Sequence, residues 1–341
     1  MIPSGDELSQ IPNSVRERFI TPHGIKTLQR VSGGFSGALV FRCEGSGKYA
    51  LRRWAKTKAT RVREVHRLVS SAAERCTLFP RWVRAVDGND IVCDDRGWMW
   101  DLAEWHDGEP LETTTSLDGI VRGASTIADA HQALRPSGEG TGVSGAIDAR
   151  WNRLHELANL IPPALTRIDA APPAIAATLR DAAALLLRWK SIATQLAGRL
   201  EAFRGAELPL QHVLRDVHRE HILFLDGNPT GIVDFDAIRI DSPLLDISRW
   251  VTDFDAFGEE PSGVIEAALA GYGLERLFRT GTEGVKARKL VETLAVTTTW
   301  IGLANWVVWV ASESRQFPDW QRVRIRIARL VDLAPRLRDC I

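Results

Sequence analysis

Charge of one sign is what this sequence lacks most plainly. Its 43 lysines and arginines are matched by 43 aspartates and glutamates, a formal net charge of +0. No global field steers such a chain toward nucleic acid or a membrane surface, and neither is expected as a partner. Cysteine is scarce. The four, Cys43, Cys76, Cys93 and Cys340, have no metal-ligand spacing and read as free thiols. The opening MIPSGDELSQ has no basic-then-apolar signal, so a cytoplasmic location is expected. The most apolar stretch, 294–311, is interrupted by Thr297, Thr298, Thr299 and Asn305, so a buried helix is expected there rather than a membrane span. No repeat is evident. What remains is an ordinary globular composition, 45% hydrophobic and 25% charged over 341 residues, enough for one large core or two lobes.

The most informative stretch is 210–250. Two short apolar runs, at 222–225 and 231–233, flank Asp226-Gly227-Asn228, which predicts a β-hairpin. Asp216 precedes the first strand, His221 stands at its head, and Asp234 ends the second. Such a hairpin brings both carboxylates to one side, near His221. That cluster suits a divalent cation and a polarised hydroxyl.

RDVHREHILF followed by GIVDFD resembles the catalytic and metal loops of the aminoglycoside phosphotransferase and choline kinase family. The resemblance implies an α+β, bilobal protein-kinase-like fold, with an antiparallel β-sheet N-lobe and a mainly helical C-lobe. It implies that Asp216 is the catalytic aspartate, that His221 and Asp234 hold the metal, and that Asp246 braces the catalytic loop. Arg215, beside Asp216, is expected to belong to the catalytic set with it and to pair with Asp246 or Asp236. The family pattern is broken at Leu214, His221, Asp236 and Ser242, where it has histidine, asparagine, glycine and aspartate. An imidazole nitrogen suits manganese or zinc better than magnesium.

Residues 1–106 are read as the nucleotide-binding lobe, ending in a hinge. After an irregular lead-in to about residue 22, strands are expected around Gly33 and Gly34. With Ser36 and Gly37 this loop can present N–H groups to phosphate. Its alternative is a plain hairpin. Arg52 takes the place of the family's phosphate-binding lysine, with a fork instead of a point charge. A helix is expected over 61–73. Its Glu64 either pairs with Arg52 or is solvated. The run at 98–105 resembles the family's hinge strand, whose backbone at Leu102 and Glu104 would bond an adenine.

Residues 107–341 are read as the helical lobe. Helices are expected over 117–134, 149–160, 175–203, 264–272, 285–309 and 320–333, with a linker at Pro162-Pro163 and a loop over 136–145. His131 is read as structural, and the arginines of 322–329 as a solvated face. Asp253, Asp255, Glu259 and Glu260, with Trp300, Trp306 and Trp309, suit a cationic acceptor by charge and cation–π contact. The alternative is that the tryptophans are core and the acids a solvated loop.

The function expected is phosphoryl transfer from ATP, or another nucleoside triphosphate, to the hydroxyl of a small molecule, with Mg2+ or Mn2+, by a monomer or homodimer. The alternatives are an impaired kinase-like nucleotide-binding or regulatory protein, and a metallohydrolase using His218 and His221. The spacing H-R-E-H matches neither known zinc helix pattern, which speaks against the latter.

Overall fold

Apolar residues that alternate along short runs make the first hundred residues a sheet. The computed structural model describes residues 10–31, 38–55, 57–135, 139–273 and 281–337. Strands β1 (Thr27–Val31), β2 (Leu39–Glu44), β3 (Lys48–Arg53), β4 (Ile91–Cys93) and β5 (Met99–Glu104) form an antiparallel sheet in the order β1-β2-β3-β5-β4. Phe41 and Cys43 of β2 and Leu51 of β3 point inward, and β5 is buried at five successive positions. The lead-in is not irregular throughout. A one-turn helix, α1 (Asn13–Val15), runs into a wider turn over Arg16–Ile20, and Ile11, Val15 and Phe19 join the core under the sheet. Apolar side chains there outweigh the prolines that suggested a coil. Helix α2 (Ala59–Ala73) forms as expected, burying Val62, Val65, Leu68 and Val69.

The hairpin is present as β9 (Ile222–Leu225) and β10 (Asn228–Ile232). Asp226 and Gly227 adopt φ of 50° and 77°, which a two-residue hairpin turn demands. A third strand, β6 (Glu109–Pro110), pairs with β9, and the Ile232 amide donates to the Leu78 carbonyl at 2.8 Å. These bonds change the expected boundary at residue 106. The chain divides into one compact unit of residues 1–110, 132–137 and 220–238, and a second of 111–131, 138–219 and 239–341. His221 and Asp234 thus belong to the first unit and Asp216 to the second.

The second unit is helical around a small sheet. Strands β7 (Glu139–Val143), β8 (Glu207–Val213) and β11 (Arg239–Asp241) pair antiparallel in the order β11-β8-β7, so the expected loop at 136–145 contains a strand. The helices are α3 (Leu117–Leu134), α4 (Gly145–Leu165), α5 (Ala176–Leu186), α6 (Trp189–Glu201), α7 (Leu244–Val251), α8 (Ala256–Glu259), α9 (Pro261–Tyr272), α10 (Gly281–Val307) and α11 (Trp320–Arg336). Pro162 and Pro163 lie within the end of α4 instead of forming a linker, and the single helix expected over 175–203 is two, broken at residues 187–188. Helix α10 packs against α4, α7 and α11. With its continuation Val308–Ser312 it is long and apolar enough to cross a membrane, but the apolar window is 72% buried inside the protein. At Gly123 the Trp250 ring comes so close that a Cβ would lie 1.8 Å from it, and the indole N–H donates to the Ile120 carbonyl.

Candidate active site

In the second unit, β8 delivers the chain to Asp216 through a braced turn. Asp246, fully buried on α7, accepts from the Leu214 amide at 2.7 Å and lies 2.8 Å from Nε2 of His131. His131 Nδ1 reaches the Tyr272 hydroxyl at 3.0 Å. The bracing role of Asp246 and the structural role of His131 therefore hold together as one network. The Leu214 amide takes part in it, and its side chain is buried. Arg215 is not the partner of Asp246. It adopts φ 65°, a left-handed conformation unusual for a non-glycine residue, directly before Asp216.

Asp216 is 44% exposed and meets the guanidinium of Arg249 and, at 3.3 Å, Nε2 of His218. His218 Nδ1 lies 3.0 Å from Asp253. Asp253 also accepts from the Arg219 amide at 2.8 Å and is flanked by Arg329 at 3.4 Å and Arg326 at 3.8 Å. Burial opposes the charge on Asp253, but His218, Arg326 and Arg329 hold its carboxyl far below the usual range. Burial likewise opposes the charge on His218, while Asp253 and Asp216 raise its pKa above 6.5.

This arrangement corrects two expectations. Asp253 is not part of an exposed acidic field, being 4% exposed and engaged by cations. Arg326 and Arg329 are turned toward it, so the 322–329 arginines are not wholly a solvated face. Trp300 and Trp306 are buried, and Trp306 packs edge-on to Trp309 at 5.2 Å. Trp300 and Trp306 are core, Trp309 is half-buried beneath Arg315, and of the four acids Asp253 is the buried one.

In the first unit, His221 Nε2 lies 3.8 Å from Asp234, which is 45% exposed and has φ 66°. Among the described residues no three His, Cys, Asp or Glu side chains converge as a ready metal cage. One open carboxylate beside one imidazole still fits a divalent cation that draws its other ligands from phosphate and water.

Arg52 is placed by residues that sequence reasoning missed. On β3 it stands opposite Asp101 of β5. Nη2 reaches Asp101 at 3.0 Å and Nη1 reaches Asp236 at 2.9 Å, while the guanidinium lies 3.9 Å from the Trp54 ring. Asp101 also accepts from the Trp54 indole at 2.6 Å and lies 2.9 Å from His66 Nε2. His66 stacks on Trp82 at 4.0 Å. Burial would raise the Asp101 pKa, yet Arg52 and His66 bring it down to about 2. Burial and the charge of Asp234 push Asp236 up against the pull of Arg52. Of the two readings of Glu64 the solvated one holds, because Asp101 lies directly across the ladder from Arg52 and Glu64, 45% exposed, pairs with Arg61 at 2.7 Å. The signal available was a lone aspartate inside the apolar run WMWDLAEW.

Leu102 and Glu104 lie on β5 as expected, but the Leu102 carbonyl accepts from Val83 and the Glu104 amide donates to Arg81, so these two groups already have partners. Gly33, Gly34 and Ser36 lie outside the described residues.

The model of a phosphotransferase enzyme family matches residues 27–286. No match is found among curated proteins. Among solved structures, an aminoglycoside phosphotransferase from Alicyclobacillus acidocaldarius is 15% identical, with 96% of each chain covered and a TM-score of 0.55. A spectinomycin phosphotransferase in complex with ADP and spectinomycin is 11% identical over 96% of this chain and 98% of its own, with a TM-score of 0.60. An amicoumacin kinase in complex with AMP-PNP and Ca2+ is 11% identical over 96% of each chain, with a TM-score of 0.58. At these identities the likeness is one of fold, the bilobal kinase-like fold expected from the motifs.

Proposed function

This chain belongs to the phosphotransferase enzyme family and is a small-molecule kinase; on that premise we propose that it transfers the γ-phosphoryl group of ATP to an acceptor hydroxyl oriented by Asp216. The observation that carries the reading is Asp216 itself, half-open on a turn that Asp246 and His131 brace. Its carboxylate takes the hydroxyl proton as the acceptor oxygen bonds to phosphorus and the bond to ADP breaks. Most of the catalysis in such a reaction is positioning and charge neutralisation. Arg52, fixed by Asp101, has three of its five N–H donors committed and offers the rest to the phosphates. Asp234 and His221 would hold a divalent cation, which neutralises phosphate charge when bound.

The departures from the family pattern leave this chemistry in reach. The amide of Leu214 is what anchors the turn. Asp236 serves Arg52. A relative's binding of ADP and spectinomycin supports a nucleotide and a small-molecule acceptor for this chain too. The test is a phosphorylation screen over hydroxyl compounds with ATP and either magnesium or manganese. Acceptor-dependent ADP release that vanishes in Asp216→Asn is expected. ATP binding without release against every acceptor would replace the reading with that of a nucleotide-binding protein.

A further inference from the structure

The buried carboxylates near Asp216 are already engaged. Asp246 serves His131 and the Leu214 amide. Asp241 accepts from the Ser144 hydroxyl and from the amides of Ala146 and Ser242. Asp253 serves His218, the Arg219 amide, Arg326 and Arg329. Two cations of the same region are only partly covered. Arg249 touches both Asp216 and His218, and Arg326 lies 3.2 Å from the same imidazole. Arg150 of α4 bonds the Thr298 hydroxyl and the Ala146 carbonyl, with no carboxylate among its described partners. Burial, then the nearby charges of Arg249 and Arg215, lower its pKa to about 10 against the pull of Asp241 and Asp246.

Arg249 and Arg326 are both partly open, 21% and 32% exposed, beside an Asp216 that is more open still. We propose that the acceptor carries an anionic group, a carboxylate or a phosphate ester, held by Arg249 and Arg326 so that its hydroxyl lies at Asp216. The proposal rests on the phosphotransferase reading and names the substrate class of that site. The guanidinium fork matches a carboxylate or phosphate in two parallel bonds. Binding of the anion gives Arg249 a further partner beside Asp216 and His218. A cationic acceptor meets two guanidinium groups there, and Asp253, 4% exposed, is closed to it.

One sugar frame in four charge states tests this: glucose, glucosamine, gluconate and glucose 6-phosphate. Thermal unfolding of the nucleotide-free protein is followed with each. Gluconate or glucose 6-phosphate is expected to raise Tm at concentrations where glucose and glucosamine do not. Arg326→Gln is expected to weaken that binding about tenfold, and Arg326→Lys to weaken it less. ATP affinity in Arg326→Gln is measured in parallel. A loss of ATP affinity with sugar-anion binding unchanged would assign the cluster to the transferred phosphoryl group and overturn the proposal. So would glucose or glucosamine protecting as well as the anions. Anion binding that persists while no acceptor consumes ATP would instead sink the phosphotransferase reading and leave the anion site standing.

Discussion

Arg52 and Asp101 face each other across β3 and β5, and the Asp101 carboxylate receives the guanidinium together with the Trp54 indole and the His66 ring. A cross-strand aspartate thus holds the arginine, while Glu64 of the helix pairs with Arg61. The choice follows from register. Residues opposite each other on antiparallel strands have Cβ atoms about 5 Å apart whatever a neighbouring helix does.

Asp101→Asn is expected to lower the free energy of unfolding by about 3 kcal/mol or more in urea titration, because it leaves a buried guanidinium short of charge. Glu64→Gln, exposed and paired with its own helix neighbour Arg61, is expected to stay within about 0.5 kcal/mol. The Asp101 pKa of about 2, against 3.8 unfolded, adds an acid limb. Its stabilisation is full above pH 3.8 and disappears as pH falls toward 2. The reverse ranking of the two variants would return the role to Glu64.

Asp216→Asn is expected to keep the fold and ATP affinity while turnover falls about a hundredfold or more, the effect of losing a positioned base. Steady-state ADP release and calorimetric ATP binding measure the two. Undiminished turnover would remove Asp216 from the mechanism.

His221 places nitrogen beside Asp234, so manganese is expected to support more turnover than magnesium at equal concentration. In His221→Asn the ratio should move toward magnesium. Parallel assays with the two ions decide it, and an identical ratio in both proteins means that His221 does not meet the ion.

His218 gives the protein an alkaline limit. Asp253 and Asp216 outweigh burial, Arg249 also opposing, and raise its pKa above the unfolded 6.5. Arg326 also faces the ring. Protonation therefore favours the folded state. Its contribution is full below pH 6.5 and is lost as pH rises through the raised value. Unfolding free energy measured from about pH 6 to about 9 should decline, and His218→Gln should flatten the decline. The same slope in the variant would assign it to another group.

Local chemistry made part of this legible from the sequence. Asp226-Gly227 can form its turn without help from the rest of the chain, so the hairpin could be read directly. The spacing of Asp216, His221, Asp234 and Asp246 pointed to the candidate residues. Arg52's partner could not be read that way, because opposing Asp101 requires the register of strands some fifty residues apart. The acidic run at 253–260 misled for a related reason. Composition reports charge but not burial, and α11 brings Arg326 and Arg329 onto Asp253 from more than seventy positions away. The break in the 175–203 helix has no proline or glycine to announce it.

Arg215 and Asp234 both hold the left-handed backbone angle that glycine adopts without penalty, at a cost of about 1 kcal/mol or more each for a side chain with a Cβ. Variation and selection can read that cost. A library enriched for heat resistance alone should accumulate glycine at 234, and one enriched for turnover should expel it. At 215 the same two pressures compete without a carboxylate at stake. The frequency of glycine at these two positions would then report which pressure a population of variants has been under.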